Sequence, residues 1–354
     1  MAPSRKTSIV FDTYGGSHTP AEIVRAAARL SRQGVAQIAL VGEVAYLQDQ
    51  LALLPYDPMT LRIVPAAAAF PRRLGDTLAQ SEAARIALPL AMEMLRDGEA
   101  DVLISASPPD LVRELALEYL PRLAGCQALA TAAVVPTMPR QGQDEPLGLL
   151  LDVSGRRTTD AEELVQFAVL GATYARVVTK TPQPSVALLS TGQGSDDGPV
   201  EVVAAHKRLK ALDGVRFVGN VRATDLLRGL ADVVVADGLA GHMVHGLLEG
   251  LTEMTVEAAR YAWKTKVTWR MGLRLLAQGV GMLRKVSEFT SYGGAPLLGL
   301  EHLVLVTSAD SKEATFANAI KLAARCQTSD LQSQLRQAMA RFAQDNSVHL
   351  AGEP

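Results

Sequence analysis

The chain has 354 residues, 48% hydrophobic and 20% charged, with 35 basic and 37 acidic side chains for a formal net charge of −2. That length suits two lobes or one large α/β unit, and the apolar share supports a sizeable core over long disorder. The near-neutral balance excludes a global field for nucleic acid or membrane, and aromatics at 5% leave few stacking platforms for single strands.

In chain order, mostly continuous apolar runs predict strands at 8–12, 37–41, 61–65, 101–106, 129–135, 148–153, 186–190, 215–219, 232–237 and 302–308. Such runs suit strands covered on both faces. Helical periodicity falls between them at 21–32, 77–96, 110–120, 161–178, 200–212 and 312–325. The alternation predicts an α/β fold with a largely parallel sheet. Residues 136–146 read as a polar surface loop. Cys126 and Cys326 have neither metal-ligand spacing nor a disulfide framework. No apolar run has the length of a membrane span and no signal segment is present, so a cytoplasmic location is expected, with no metal or cofactor.

In such sheets ligands sit at the carboxyl ends of strands. The first junction reads Asp12-Thr13-Tyr14-Gly15-Gly16-Ser17-His18-Thr19-Pro20. Asp12 suits an organiser of the turn. Gly15 and Gly16 permit close approach, and His18 stands beside them as a site candidate. Thr19 and Glu22 fit a capping box, with Pro20 in the first helical turn. Further glycine-bearing junctions lie at 190–198, Phe217-Val218-Gly219-Asn220, Asp237-Gly238-Leu239-Ala240-Gly241-His242 and 292–299. Asn220, Asp237, Gly238, Gly241 and His242 are therefore candidate ligand-binding residues, His242 equally a helix-start cap. His206 and His302 read as surface or strand-edge residues.

One segment breaks the charge balance. Arg260, Lys264, Lys266, Arg270, Arg274, Arg284 and Lys285 lie in a stretch, 258–287, without one acidic residue. Trp263 and Trp269, the only tryptophans, fall inside it. A basic helix pair with interleaved aromatics suits an acidic protein partner or an anionic membrane surface. An ordinary solvated helix at a dimer interface reads equally well.

Taken in order, these junctions resemble the PlsX family, phosphate acyltransferases of bacterial phospholipid synthesis. DTYGGSHTP is similar to the family's DAMGGDHAP. LLDVSG at 150–155 and ELVQFAVLGATYA at 163–175 are similar to LLDVGAN and HLVQFAxxGxxYA. FVGN at 217–220, DVVVADGLAG at 232–241, LEG at 248–250 and YGGAPLLG at 292–299 also match. The resemblance implies a three-layer Rossmann-like fold of the isocitrate/isopropylmalate dehydrogenase type with a helical hairpin extension. It implies a single unit of two lobes over 1–330, a basic amphipathic segment over 242–286, and a C-terminal helix and tail over 331–354. It also implies a homodimer that converts an acyl carrier protein or CoA thioester plus phosphate to acyl phosphate. Phosphate would then lie near Gly15, Gly16 and His18, with Gly238 and Gly241 opposite, and His18 and Asp12 in the catalytic roles. The hairpin would make carrier-protein or peripheral contact at the inner membrane face.

The sequence departs from the family at several polar positions. Ser107-Pro108-Pro109-Asp110 replaces Gly-Asn-Thr-Gly, and the prolines delete two backbone donors. Asp160 stands at a family lysine, with Arg156 and Arg157 nearby. Gln193-Gly194-Ser195-Asp196-Asp197 replaces a glutamate-rich loop, and Ser308-Ala309-Asp310-Ser311 a His-Gly-Ser-Ser. A family asparagine is His242 and a family lysine is Gly246. Two readings follow: an acyltransferase with a remodelled site, or a divergent, non-catalytic subunit that docks a carrier protein or a ketosynthase-like partner. A nicotinamide dehydrogenase lacks its G-x-G-x-x-G fingerprint here.

Overall fold

The computed structural model describes residues 6–15, 20–67, 77–138, 147–275 and 293–350. The chain divides into two compact units, Met1–Thr131 with Thr173–Pro182 and Ser291–Pro354, and Ala132–Ala172 with Gln183–Thr290.

In the first unit, β1 (Ser8–Asp12), β2 (Gln37–Gly42), β3 (Leu61–Pro65), β4 (Val102–Ser105) and β11 (Leu303–Val306) are parallel, in the order β3-β2-β1-β4-β11. Antiparallel β10 (Ala295–Leu298) follows β11 and pairs with Ala130 and Thr131, where β5 (Ala130–Pro136) begins. Successive strand residues face opposite ways. Val10 joins a core with Leu88, Met92, Val112 and Leu115 from α3 (Thr77–Arg96) and α4 (Pro109–Tyr119). On the other face Phe11 meets Phe316 of α10 (Glu313–Thr328) edge-on, at 6.4 Å between ring centres. Beside α10 lies α1 (Ala21–Arg32). Both strand faces are thus covered, which is why these strands read as unbroken apolar runs.

In the second unit the order is β5-β6-β9-β7-β8, with β6 (Leu147–Leu151), β7 (Ser185–Leu189), β8 (Arg216–Val221) and β9 (Val233–Val235) parallel and β5 antiparallel to β6. One face packs Leu150, Ala187 and Val234 against Ala240, Val244 and Leu248 of α8 (Gly238–Thr265). Against the other, Gly171 of α5 (Ala161–Val178) lies so close that a Cβ there would stand 2.8 Å from Val233 and 3.1 Å from Leu151. The unit also holds α6 (Val200–Ala211), α7 (Ala223–Leu226) and α9 (Val267–Leu275).

The two units repeat one spatial order and orientation of strands, β2-β1-β4-β11-β10 against β8-β7-β9-β6-β5, with the antiparallel hairpin last along the chain in the first and first in the second. The repetition reaches single hydrogen bonds. The Ser8 amide donates to Asp101 at 2.7 Å, and the Ser185 amide to Asp232 at 2.8 Å, each aspartate standing just before the neighbouring strand.

Three features depart from the sequence expectation. First, α2 (Val44–Ala52) lies outside the predicted helices. Second, β10 occupies a stretch read as a glycine junction, and Gly293, Gly294 and Gly299, at φ 102, 98 and 108°, mark the strand's two ends. Third, the Glu22 carboxylate pairs with Arg25 and accepts the Glu313 amide at 2.9 Å, so it serves the start of α10, a task beyond the capping box expected of it. Thr19 of that box lies outside the described residues. The C-terminal α11 spans Leu331–Leu350.

Candidate active site

At the end of β1, Asp12 is fully buried. Its Oδ1 accepts the Tyr14 amide at 3.0 Å, and its Oδ2 accepts the Ser105 hydroxyl at 2.8 Å and the Ser107 hydroxyl at 2.6 Å. Burial raises the Asp12 carboxyl above the ordinary aspartate range, and the donors pull it partway back. The Tyr14 phenol is pushed up to about 12, by burial first and then by Glu43 and Asp12. Gly15 lies against the Ala106–Ser107 backbone with no room for a Cβ. The expected site residues Gly16 and His18 lie outside the described residues. After β4, Pro108 flanks α4 and Pro109 opens it, where a missing N–H is tolerated. Asp110, in the same first turn, is exposed.

At the end of β6, Asp152 uses the same device. Buried, it accepts the Ser154 amide at 3.0 Å and the Ser154 hydroxyl at 2.5 Å. The start of α8 closes over this loop. Asp237 caps the helix by accepting the Ala240 amide at 2.9 Å. The Gly238 amide donates to the Thr159 hydroxyl at 3.3 Å, and the Gly155 amide to the Gly238 carbonyl at 3.1 Å. A Cβ on Gly238 would stand 2.8 Å from the Arg156 nitrogen, and one on Gly241 would overlap the Asp152 carbonyl oxygen. His242 is exposed, with Nδ1 3.2 Å from the Val153 carbonyl oxygen. The structure therefore brings Asp237, Gly238, Gly241 and His242 together on the loop after β6.

Sequence reasoning had not assigned Asp152, Ser154, Thr159 or Glu163. Arg156 pairs with Glu163 at 2.6 Å. Asp160 and Glu163 form a reciprocal capping box at the start of α5, at 2.8 and 3.0 Å. Asp160, read as a lost lysine, thus acquires a structural task. The signal was present as Asp-x-x-Glu before an apolar helix, and as Asp-x-Ser after an apolar strand.

Asn220 stands in a separate cluster. Its Oδ1 lies 2.8 Å from His206 Nδ1, and its Nδ2 donates to the Gly194 carbonyl at 2.8 Å. It holds the 190–198 loop, where Asp197 accepts the Gly194 amide at 2.7 Å. His206, expected at the surface, is buried on α6 and meets Phe217 edge-on, so that expectation is corrected. Nearby, Asp225 is buried and accepts from Arg222, Arg228 and Gln193, and its carboxyl is pulled down to about 2, chiefly by the Arg222 hydrogen bond. Both cysteines are buried, and burial pushes the Cys326 thiol up to about 12.

The basic segment begins within α8 and continues through α9. Arg260, Lys264 and Lys266 are exposed, as are Tyr261, Trp263, Val267, Trp269 and Met271. Arg270 stacks on Trp263 at 5.6 Å and Lys266 on Trp269 at 5.0 Å, and Arg270 also donates to the Trp263 carbonyl at 3.1 Å. Arg274 lies on α9. Among the described residues no helix is long and apolar enough to cross a membrane.

This architecture is shared with solved acyl-transfer and dehydrogenase structures. A phosphotransacetylase from Streptococcus pyogenes superposes with TM-score 0.60 at 17% identity, covering 91% of this chain and 94% of its own. A 4-hydroxythreonine-4-phosphate dehydrogenase from Klebsiella pneumoniae gives 0.52 at 15%, covering 90% and 98%. The fold is thus α/β and Rossmann-like, of the kind these enzymes share. Residues 7–334 match the family described as "Fatty acid synthesis protein", and the chain belongs to that family, the PlsX family. The phosphate acyltransferase of Moorella thermoacetica is 32% identical over 319 residues, 90% of this chain and 91% of that one. That of Brevibacillus brevis is 29% identical over 335 residues, 94% and 97%.

Proposed function

We propose that the protein is an acyltransferase that passes an acyl group from a carrier-protein or CoA thioester to phosphate, giving acyl phosphate, through a remodelled site. The observation that carries this reading is the 32% identity to a phosphate acyltransferase along 90% of the chain. The strand-end glycines support it: Gly15, Gly238 and Gly241 each bring backbones together where a side chain would collide.

Attack of phosphate on a thioester needs a held phosphate and a polarised carbonyl, because a thiolate leaves readily. Within the second unit Asp237, Gly238 and Gly241 at the α8 start are proposed phosphate contacts, and within the first so are Gly15, Gly16 and His18, which follow β1 in sequence. Asp12 acts by holding the first loop. Arg156 is committed to Glu163, so Arg157, exposed and without an ion pair to a described residue, is the cation that the loop after β6 offers to an anion. Arg260, Lys264, Lys266, Arg270 and Arg274 form the proposed landing surface for an acidic carrier protein.

One observation favours the second reading, a docking subunit. Ser107 is tied to Asp12 and α4 opens with proline, so the loop after β4 offers few amides to an oxyanion. Incubation with acyl-carrier thioesters or acyl-CoA, phosphate and hydroxylamine separates the two. The proposed activity gives phosphate-dependent hydroxamate. No hydroxamate at any chain length leaves the docking reading.

A further inference from the structure

The ring of His242 is set in one orientation. Its Nδ1 lies 3.2 Å from the Val153 carbonyl oxygen. A carbonyl only accepts, so Nδ1 carries the hydrogen, and Nε2 of the neutral ring is an acceptor. The ring lies against Gly155, where a Cβ would stand in ordinary contact at 3.6, 3.8 and 3.9 Å from Cγ, Nδ1 and Cδ2 and where φ of 79° favours glycine. His242 is exposed, and Nε2 bonds to no described residue.

On the elements packed against His242, Arg157 of the loop after β6 is exposed and His245 of α8 interacts electrostatically with His242, while the other charged groups are held by partners. On the loop after β6, Asp152 holds Ser154 and Arg156 pairs with Glu163. At the helix start Asp237 holds the Ala240 amide. On α8 itself, His245 is disfavoured from charging by burial and lies 3.7 Å from Glu249. The loop thus presents a fixed acceptor beside the glycines of the α8 start, where a helix ordinarily offers donors. An acceptor repels a fully deprotonated oxyanion and welcomes one that brings a proton.

We infer that His242 Nε2 accepts the proton of the attacking phosphate and makes the site selective for a protonated oxyanion. The inference rests on the acyl-transfer reading above and deepens it. The P–OH of hydrogen phosphate first donates to Nε2. As its oxygen bonds to the thioester carbonyl carbon, the proton passes to Nε2 and the carbonyl π pair becomes an oxyanion. Collapse breaks the C–S bond, and the imidazolium returns the proton to the departing thiolate. Acyl phosphate, thiol and neutral His242 remain.

The test uses His242→Gln and His242→Asn, which keep a polar side chain but cannot take a proton. In the hydroxamate assay, kcat/KM for phosphate falls by about 10²-fold. KM for the thioester stays unchanged. By calorimetry, wild type binds inorganic phosphate in preference to sulfate, and both variants narrow that preference because an amide can donate. Variants with the wild-type kcat/KM for phosphate or the wild-type phosphate-to-sulfate ratio overturn the inference. Absence of hydroxamate from wild type itself sinks the acyl-transfer reading instead, and the phosphate-to-sulfate ratio then decides the acceptor role alone. Nitrogen NMR of the histidine ring adds a check independent of substitution, since a hydrogen on Nε2 and none on Nδ1 of the neutral ring also overturns it.

Discussion

Asp12 and Asp152 close the loops after two strands, one in each unit, by accepting donors from residues two positions along and from serine hydroxyls. Replacing Asp12 with alanine strands the Tyr14 amide and two serine hydroxyls in a buried place. At about 1–3 kcal/mol for each buried unsatisfied group, Asp12→Ala should lower stability by about 3 kcal/mol or more in denaturant titrations. Asp225 makes a pH-dependent prediction. Its carboxyl sits at about 2, below the ordinary 3.8, so its contribution is complete above 3.8 and disappears as pH falls through about 2. The stability gap between wild type and Asp225→Asn should therefore be constant near neutrality and close across that acid window. A gap that persists below it would contradict the assignment. Asp12 as turn organiser was legible, because an aspartate followed by glycines at a strand end has few other uses. The tasks of Asn220 and His206 were not, since their contacts join residues 14 to 26 positions apart on a strand, a helix and a loop whose meeting no local periodicity announces.

The elements themselves were the most legible part of the molecule. Strands buried on both faces leave unbroken apolar runs, and β1, β3, α1, α3 and α5 fall on their predicted bounds. The short elements escaped. In α2 only Leu47 and Leu51 are buried, so there is little stripe to read, and β10 is four residues between glycines that signal turns. The junction of α8 with the loop after β6 gives a sharp contrast between two glycines of one helix. Gly241→Ala places a methyl group on the Asp152 carbonyl and should cost about 1–3 kcal/mol. Gly246→Ala meets no atom within 4 Å and should instead stabilise the helix by about 0.5–1 kcal/mol. Thermal melts of the two variants check the pair, and equal shifts would contradict the close packing described.

At the scale of the whole molecule, two units of like strand order each close a strand-end loop with a buried aspartate, and the end of α8 together with α9 carries the charge imbalance. Near-zero net charge conceals a segment in which Lys264 and its basic neighbours face solvent beside both tryptophans. Arg260→Glu combined with Lys264→Glu should raise KM for a carrier-protein thioester by about tenfold at low salt and leave KM for acyl-CoA unchanged. Equal effects on both donors would remove the carrier-docking role. The central claim, that a phosphate oxygen attacks the thioester carbonyl, is tested most directly with phosphate labelled by oxygen-18 at all four positions. The account predicts acyl phosphate that retains all four labels on phosphorus, one of them bridging to the acyl carbon. Absence of labelled acyl phosphate from every carrier and CoA thioester tried would contradict it.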